Sequence, residues 1–138
     1  MYPMYCPIKV NGISVLGYLD SGNSTETCIS ENFAKKVLKI KEEQINSSTL
    51  KHVGTAGKGT SLVVLGIAPK LGLQLGGVPK LFYVRPLIVR DLSMALNLSG
   101  PFMVKNKIDQ IHSQNCIRVM GKSIPLVRSN SERYREYV

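Results

Sequence analysis

The sequence predicts a mostly-β single domain, a small closed or nearly closed barrel with a glycine-rich hairpin and one or two short helices. Short apolar and β-branched runs recur along the chain, turn signals separate them, and clear helical periodicity is confined to one stretch. A chain of 138 residues that is 43% hydrophobic has the apolar surface to bury one core. Residues 1–127 form the expected domain, and residues 128–138 a polar, weakly patterned C-terminal tail.

The first two strands are expected on either side of Asn11-Gly12, in Pro7 to Val10 and Ile13 to Leu19. Asn-Gly between apolar runs is a strong signal for a tight hairpin, because both residues tolerate the left-handed backbone. The second run leads directly into Asp20-Ser21-Gly22. From Ser30 to Lys41, Phe33, Val37 and Leu38 are spaced for one helical face, with Ser30 as candidate N-cap and lysines in the final turns. Leu50 to Val53 and Ser61 to Ala68 read as strands around Gly54-Thr55-Ala56-Gly57-Lys58-Gly59-Thr60, whose glycines suit a mobile hairpin tip. Leu71 to Gly77 reads as a strand and its turn. Lys80 to Val89 is an apolar run broken at Pro86, which lacks the N–H that a central strand donates. Cys116 to Met120 and Ser123 to Val127 are a closing strand pair joined by Gly121-Lys122.

The charge balance, 18 Lys+Arg against 9 Asp+Glu for a formal +9, raises the question of an acidic partner. The basic residues are dispersed in small groups, such as Lys35, Lys36, Lys39 and Lys41, and form no arm. Four of the tyrosines, Tyr2, Tyr5, Tyr134 and Tyr137, lie near the termini instead of interleaving with the cations as stacking platforms. Solvated faces are the expectation, and a nucleic-acid-binding barrel the weaker reading. Cys6, Cys28 and Cys116 are odd in number and too widely spaced for a zinc set, so free buried thiols are expected. No window reaches the length of a membrane span, and Met1 to Cys6 lacks the pattern of a signal peptide. A reducing, cytoplasmic setting without membrane association is the expectation.

The candidate for chemistry is Asp20. A carboxylate at the end of an apolar strand is costly unless something uses it. Ser21 can hydrogen-bond across a site with its hydroxyl, and Gly22 admits a second backbone where a Cβ would clash. Taken alone, Asp-Ser-Gly reads more readily as a turn that ends a strand.

The wider context changes that reading. Val15-Leu16-Gly17-Tyr18-Leu19-Asp20-Ser21-Gly22 resembles the active-site segment of retropepsin-like aspartic proteases, the retroviral and LTR-retrotransposon family, where apolar residues precede Asp-Thr/Ser-Gly. The glycine-rich segment from Gly54 stands in the place of the family's flap. Asn97-Leu98-Ser99-Gly100-Pro101-Phe102-Met103 is similar to the segment that opens the family's helix, with Ser99 where glycine is usual unless Gly100 takes that role. Asn115 to Leu126 is similar to the terminal strand pair. Asn23 stands where the family has alanine or another small residue, which implies a more polar wall beside Asp20.

The resemblance implies a homodimeric endopeptidase. Two carboxylates sharing one proton activate a water molecule, because like charges that close cannot both ionise in a low-dielectric site. The chain has one Asp-Ser-Gly, and Asp91 and Asp109 lack the following Ser/Thr-Gly. The second carboxylate is therefore expected from Asp20 of another copy. The implied catalytic set is Asp20, Ser21 and Gly22. The implied substrate-binding set is Asn23, Val53, Gly54, Thr55, Ala56, Gly57 and Leu98. The resemblance implies no metal or organic cofactor, a polyprotein or peptide substrate held extended, and release from a larger precursor, with virus-like particles as a possible setting. The competing expectation keeps the fold and drops the chemistry, leaving a degenerate dimerisation or peptide-binding module.

Overall fold

The computed structural model describes residues 3–54 and 61–137. In chain order the elements begin with β1 (Met4–Val10), β2 (Ile13–Asp20) and β3 (Cys28–Ser30). A π-helical turn, Phe33–Val37, and a 3-10 turn, Glu42–Gln44, precede β4 (His52–Gly54) and β5 (Ser61–Ile67). Then come β6 (Leu71–Leu75), β7 (Leu81–Val84), β8 (Leu87–Val89), β9 (Leu96–Ser99) and α1 (Gly100–Lys105). The chain continues through β10 (Asp109–Ile111), a 3-10 turn at His112–Gln114, β11 (Cys116–Val119), β12 (Lys122–Pro125), β13 (Val127–Arg128) and α2 (Glu132–Arg135).

The expected first hairpin is present, with Asn11 at φ 48 and Gly12 at φ 85 supplying the left-handed turn. Asn11 also docks the hairpin onto β6: its N–H donates to the Gly72 carbonyl at 3.0 Å, and its Oδ1 accepts from the Gly72 N–H at 3.0 Å. Ten strands form one sheet along the path β4-β5-β8-β3-β9-β2-β1-β6-β7, with β13 pairing β1 off that path. Strands β10, β11 and β12 make a second, three-stranded sheet. The path is open among the described residues, ending at β4 and at β7, so the expected closed barrel is not observed. Among the described residues each of these end strands has one partner, β5 for β4 and β6 for β7.

Cys6, Ile8 and Val10 of β1 pack with Leu71, Leu73 and Leu75 of β6, Leu96 and Leu98 of β9, and Ile117 and Val119 of β11 in the main core. Alternation along β1 and β6 puts one face of each strand into this core. A second cluster, Cys28, Val64, Leu87 and Val89, sits under the β4–β5 hairpin with Val53 and Leu62 packed against it. All three cysteines are buried and free. The described helices are too short to cross a membrane.

Other departures have local causes. The helical segment after β3 is a short turn: Ser30 Oγ accepts from the Phe33 N–H at 3.1 Å, as the N-cap expectation requires, but Lys39 turns left-handed at φ 60 and stops propagation. Strand β10 carries little apolar pattern and is made by its pairing with β11, Asp109 opposite Arg118. The tail is less featureless than its composition implies. Arg128 pairs with Met4, Ser131 Oγ caps α2 by accepting from the Tyr134 N–H, and the Tyr134 ring lies 5.4 Å from that of Tyr5.

Candidate active site

Asp20 is the last residue of β2, and its placement is set by a parallel neighbour. Strand β9 runs beside β2 in the register Leu19 to Leu98 and Asp20 to Ser99. Both strands therefore deliver their ends to one place. Beyond Asp20 the chain turns tightly, the Asn23 N–H donating to the Asp20 carbonyl at 3.0 Å, and Ser21 and Gly22 are exposed.

That turn is clasped by the start of α1. The Gly100 N–H donates to the Asn23 carbonyl at 2.9 Å, and a Cβ on Gly100 would lie 3.2 Å from the Ser21 carbonyl oxygen. A Cβ there would require the Ser21 turn to give by a few tenths of an ångström, and backbone yields less readily than a flexible side chain, so this close approach favours glycine. Gly100 thus fills the role left open by Ser99. Ser99 has its own work: its Oγ accepts from the Phe102 N–H at 3.2 Å as the N-cap of α1, with Pro101 in the first turn. Its N–H donates to Thr27 Oγ1 at 3.2 Å, and the two hydroxyls lie 3.3 Å apart.

A chain of side-chain amides leads to the carboxylate. Asn97 Nδ2 donates to Asp20 Oδ2 at 2.9 Å. Asn97 Oδ1 accepts from Asn23 Nδ2 at 3.0 Å, and Asn23 Nδ2 also donates to the Glu26 carbonyl at 2.8 Å. Asn23 Oδ1 accepts from the Thr25 N–H at 3.0 Å and from Thr25 Oγ1 at 2.9 Å. Beneath this network, the Cys28 thiol on β3 is pushed up to about 11, first by burial and then by the charges of Glu26 and Asp20, while its bond with Asn23 works the other way.

The expected site residues divide. Asp20, Ser21 and Gly22 share the exposed end of β2. Asn23, expected on the substrate wall, turns its side chain inward to Asn97 and the Glu26 carbonyl. Leu98, also expected there, has no exposed surface and belongs to the main core, because β9 is covered along its whole length. Val53 is half-buried against the second cluster, and Gly54 is exposed and pairs with Ser61 across the hairpin. Thr55, Ala56 and Gly57 lie outside the described residues. Sequence reasoning missed Asn97 and Thr27. The signal was available at Asn97: an amide between Leu96 and Leu98 in an apolar strand must find buried partners. An open groove of about 440 Å³ flanks the same loop, lined by Thr25, Thr27, Lys70, Arg85 and Phe102 among others.

No family model matches the chain, and no curated protein matches it. Its structure is similar to the retroviral protease-like domain of Ddi1 from Leishmania major, at TM-score 0.70 and 15% identity, covering 95% of this chain and 98% of that one. The fold is retropepsin-like. EIAV protease complexed with the inhibitor HBY-793 aligns at TM-score 0.47 and 11% identity, over 76% of this chain and 88% of that one. In this retropepsin-like fold, Asp20 occupies the end of a strand braced by a parallel neighbour, with a half-exposed carboxylate. A carboxylate so placed can take a proton from water or accept a hydrogen bond from a substrate amide.

Proposed function

We propose that the chain is one subunit of an aspartic endopeptidase whose site forms when two copies pair, Asp20 facing Asp20. One observation carries the reading: Asp20 stands half-exposed at the end of a clasped strand, in a fold shared with a retroviral protease-like domain. Asp91 sits in the turn after β8 and Asp109 on β10 of the small sheet, so neither shares the β2–β9 end with Asp20. A second copy is the source of the second carboxylate. Ser21, exposed in the turn after Asp20, would hydrogen-bond to the facing loop.

In the paired site one carboxylate, ionised, draws a proton from a water molecule that attacks the peptide carbonyl. The other, protonated, donates to the developing oxyanion. The two cannot both carry charge at that separation, so they share one proton. Strands β4 and β5 would lay their hairpin over an extended polyprotein segment, adding main-chain hydrogen bonds and excluding water.

The second reading, a degenerate dimerisation or peptide-binding module, draws on Asn23 and Ser99. Both have defined intrachain partners that leave Asp20 in place, so neither is a sign of lost chemistry. Incubation with a polyprotein fragment, beside Asp20→Asn and with sedimentation at the same concentrations, separates the readings. Cleavage that tracks the dimer and falls by about 10³-fold in Asp20→Asn supports the protease. Equal cleavage by both proteins, or activity in a strictly monomeric preparation, rejects it.

A further inference from the structure

We propose that Asn97 is a positioning residue for Asp20, and that Asn23 sets the direction in which it acts. The inference rests on the protease reading only where turnover is measured. Its ground is a relay whose polarity is fixed from one end. A backbone N–H can only donate, so the Thr25 N–H at 3.0 Å makes Asn23 Oδ1 an acceptor. Asn23 must then present Nδ2 on its other side, where it donates to the Glu26 carbonyl and to Asn97. A carboxamide that accepts through oxygen has its N–H₂ left to give, and Asn97 gives it to Asp20 Oδ2 at 2.9 Å.

Each step leaves one orientation open to the next, so the donor at Asp20 is dictated by a backbone group at Thr25. Asn97 is only 7% exposed, and reversing its amide would set Oδ1 against the Asp20 carboxylate and Nδ2 against the N–H₂ of Asn23, losing both bonds. Asp20 Oδ2 is thereby held as an acceptor. Oδ1 has no hydrogen-bond partner among the described residues, and it is the oxygen left to carry a proton, touch water or face a second copy. The relay turns a carboxylate with two equivalent oxygens into one with assigned roles. It also explains why Asn stands at position 23. A small residue there would remove the donor that holds the other end of the Asn97 amide and leave its buried Oδ1 without a partner.

The test uses the full chain as a dimer, with kcat and KM on a cleavable peptide and side-chain amide exchange by NMR on ¹⁵N-labelled protein. Asn97→Leu is expected to lower kcat by about 10²-fold, the loss that small misplacement of a reacting group brings, with KM within about twofold. Asn23→Ala is expected to lower kcat less, and to add nothing in the Asn97→Leu background, because its effect passes through Asn97. Unchanged kcat in a folded Asn97→Leu, a loss confined to KM, a rise in kcat that marks a carboxylate parked by Asn97, or additive losses in the double variant would each overturn the proposal.

The exchange measurement stands apart from turnover and from the folding of the Asn97 variants. The Asn97 side-chain amide protons are expected to exchange slowly in the native chain and at least tenfold faster in both Asp20→Ala and Asn23→Ala. If the native chain cleaves nothing, the protease reading fails while faster exchange still upholds the relay. Exchange unaltered by both substitutions overturns the relay whatever the turnover.

Discussion

Two segments of this chain take nearly the same course and end in opposite uses. Leu19-Asp20-Ser21-Gly22 closes β2 and Leu98-Ser99-Gly100 closes β9, and the strands run parallel with Leu19 beside Leu98 and Asp20 beside Ser99. In the first, the polar residue is half-exposed and accepts from Asn97. In the second, it is 2% exposed and spends its hydroxyl on the N-terminus of α1 and on Thr27. The difference lies in the element that succeeds each strand. A tight exposed turn after Asp20 leaves one carboxylate oxygen without a partner among the described residues, whereas a helix starting at Gly100 takes Ser99 as its cap. The backbone frame is shared, and the next element decides whether its polar residue serves chemistry or structure.

Substitutions in matched pairs sharpen that contrast, and the largest effect is expected at the leucines. Leu98 has no exposed surface and Leu19 is 6% exposed, both in the main core. Leu98→Ala should cost about 2–5 kcal/mol by chemical denaturation, as deletion of a well-packed leucine does. A raised KM with an unchanged denaturation midpoint would return Leu98 to the substrate wall and break the contrast. The glycines come next. Gly100→Ala forces a Cβ to 3.2 Å from the Ser21 carbonyl oxygen, so a loss of about 1–3 kcal/mol is expected. Gly22→Ala meets only Asp20 Oδ1, at 3.4 Å, and should be milder in the monomer.

The serines rank third. Ser99→Ala removes the cap of α1 and should lower stability by about 1 kcal/mol, read as a shift in denaturation midpoint. Ser21→Ala should leave the monomer's midpoint unchanged and weaken association of two copies, measured by sedimentation, since its exposed hydroxyl has no intrachain partner among the described residues. Equal monomer effects from the two serines would show that the segments are not divided in role.

Legibility in the sequence tracks the range of the interactions. The Asn11-Gly12 hairpin, the Ser30 cap and the break at Pro86 were readable because each rests on the chemistry of a few adjacent residues. Asp20 was readable as the end of an apolar strand. The open strand path was not, because closure depends on which distant edges meet, and nothing local in β4 or β7 records it. Nor was the inward turn of Asn23, whose partner Asn97 lies far along the chain. The burial of Leu98 in the main core was not legible for a related reason: strand periodicity cannot tell a core face from a cleft wall on a strand buried on both sides.

The smallest effect belongs to Cys28, which pairs with Asn97 across β3 and β9 and senses the Asp20 side of the contrast. Its thiol rises from 9.0 to about 11, through burial first and then the negative charge of Glu26 and Asp20. A group with a raised value in the folded chain holds its proton more tightly there than when unfolded. Its contribution to stability is therefore intact below about pH 9 and is lost as pH rises through about 11. Thermal midpoints of the native chain and Cys28→Ala should run parallel below that window, and the native chain should fall more steeply within it. Removing the Asp20 charge eases thiolate formation, so Asp20→Asn should label faster with a thiol reagent at Cys28, located by peptide mass. The gain should be modest, since burial is the larger cause and Glu26 remains. A Cys28 labelling rate indifferent to Asp20→Asn would mean that the Asp20 carboxylate does not act on β3, and that the strand end is more open than the hydrogen bonds around it imply.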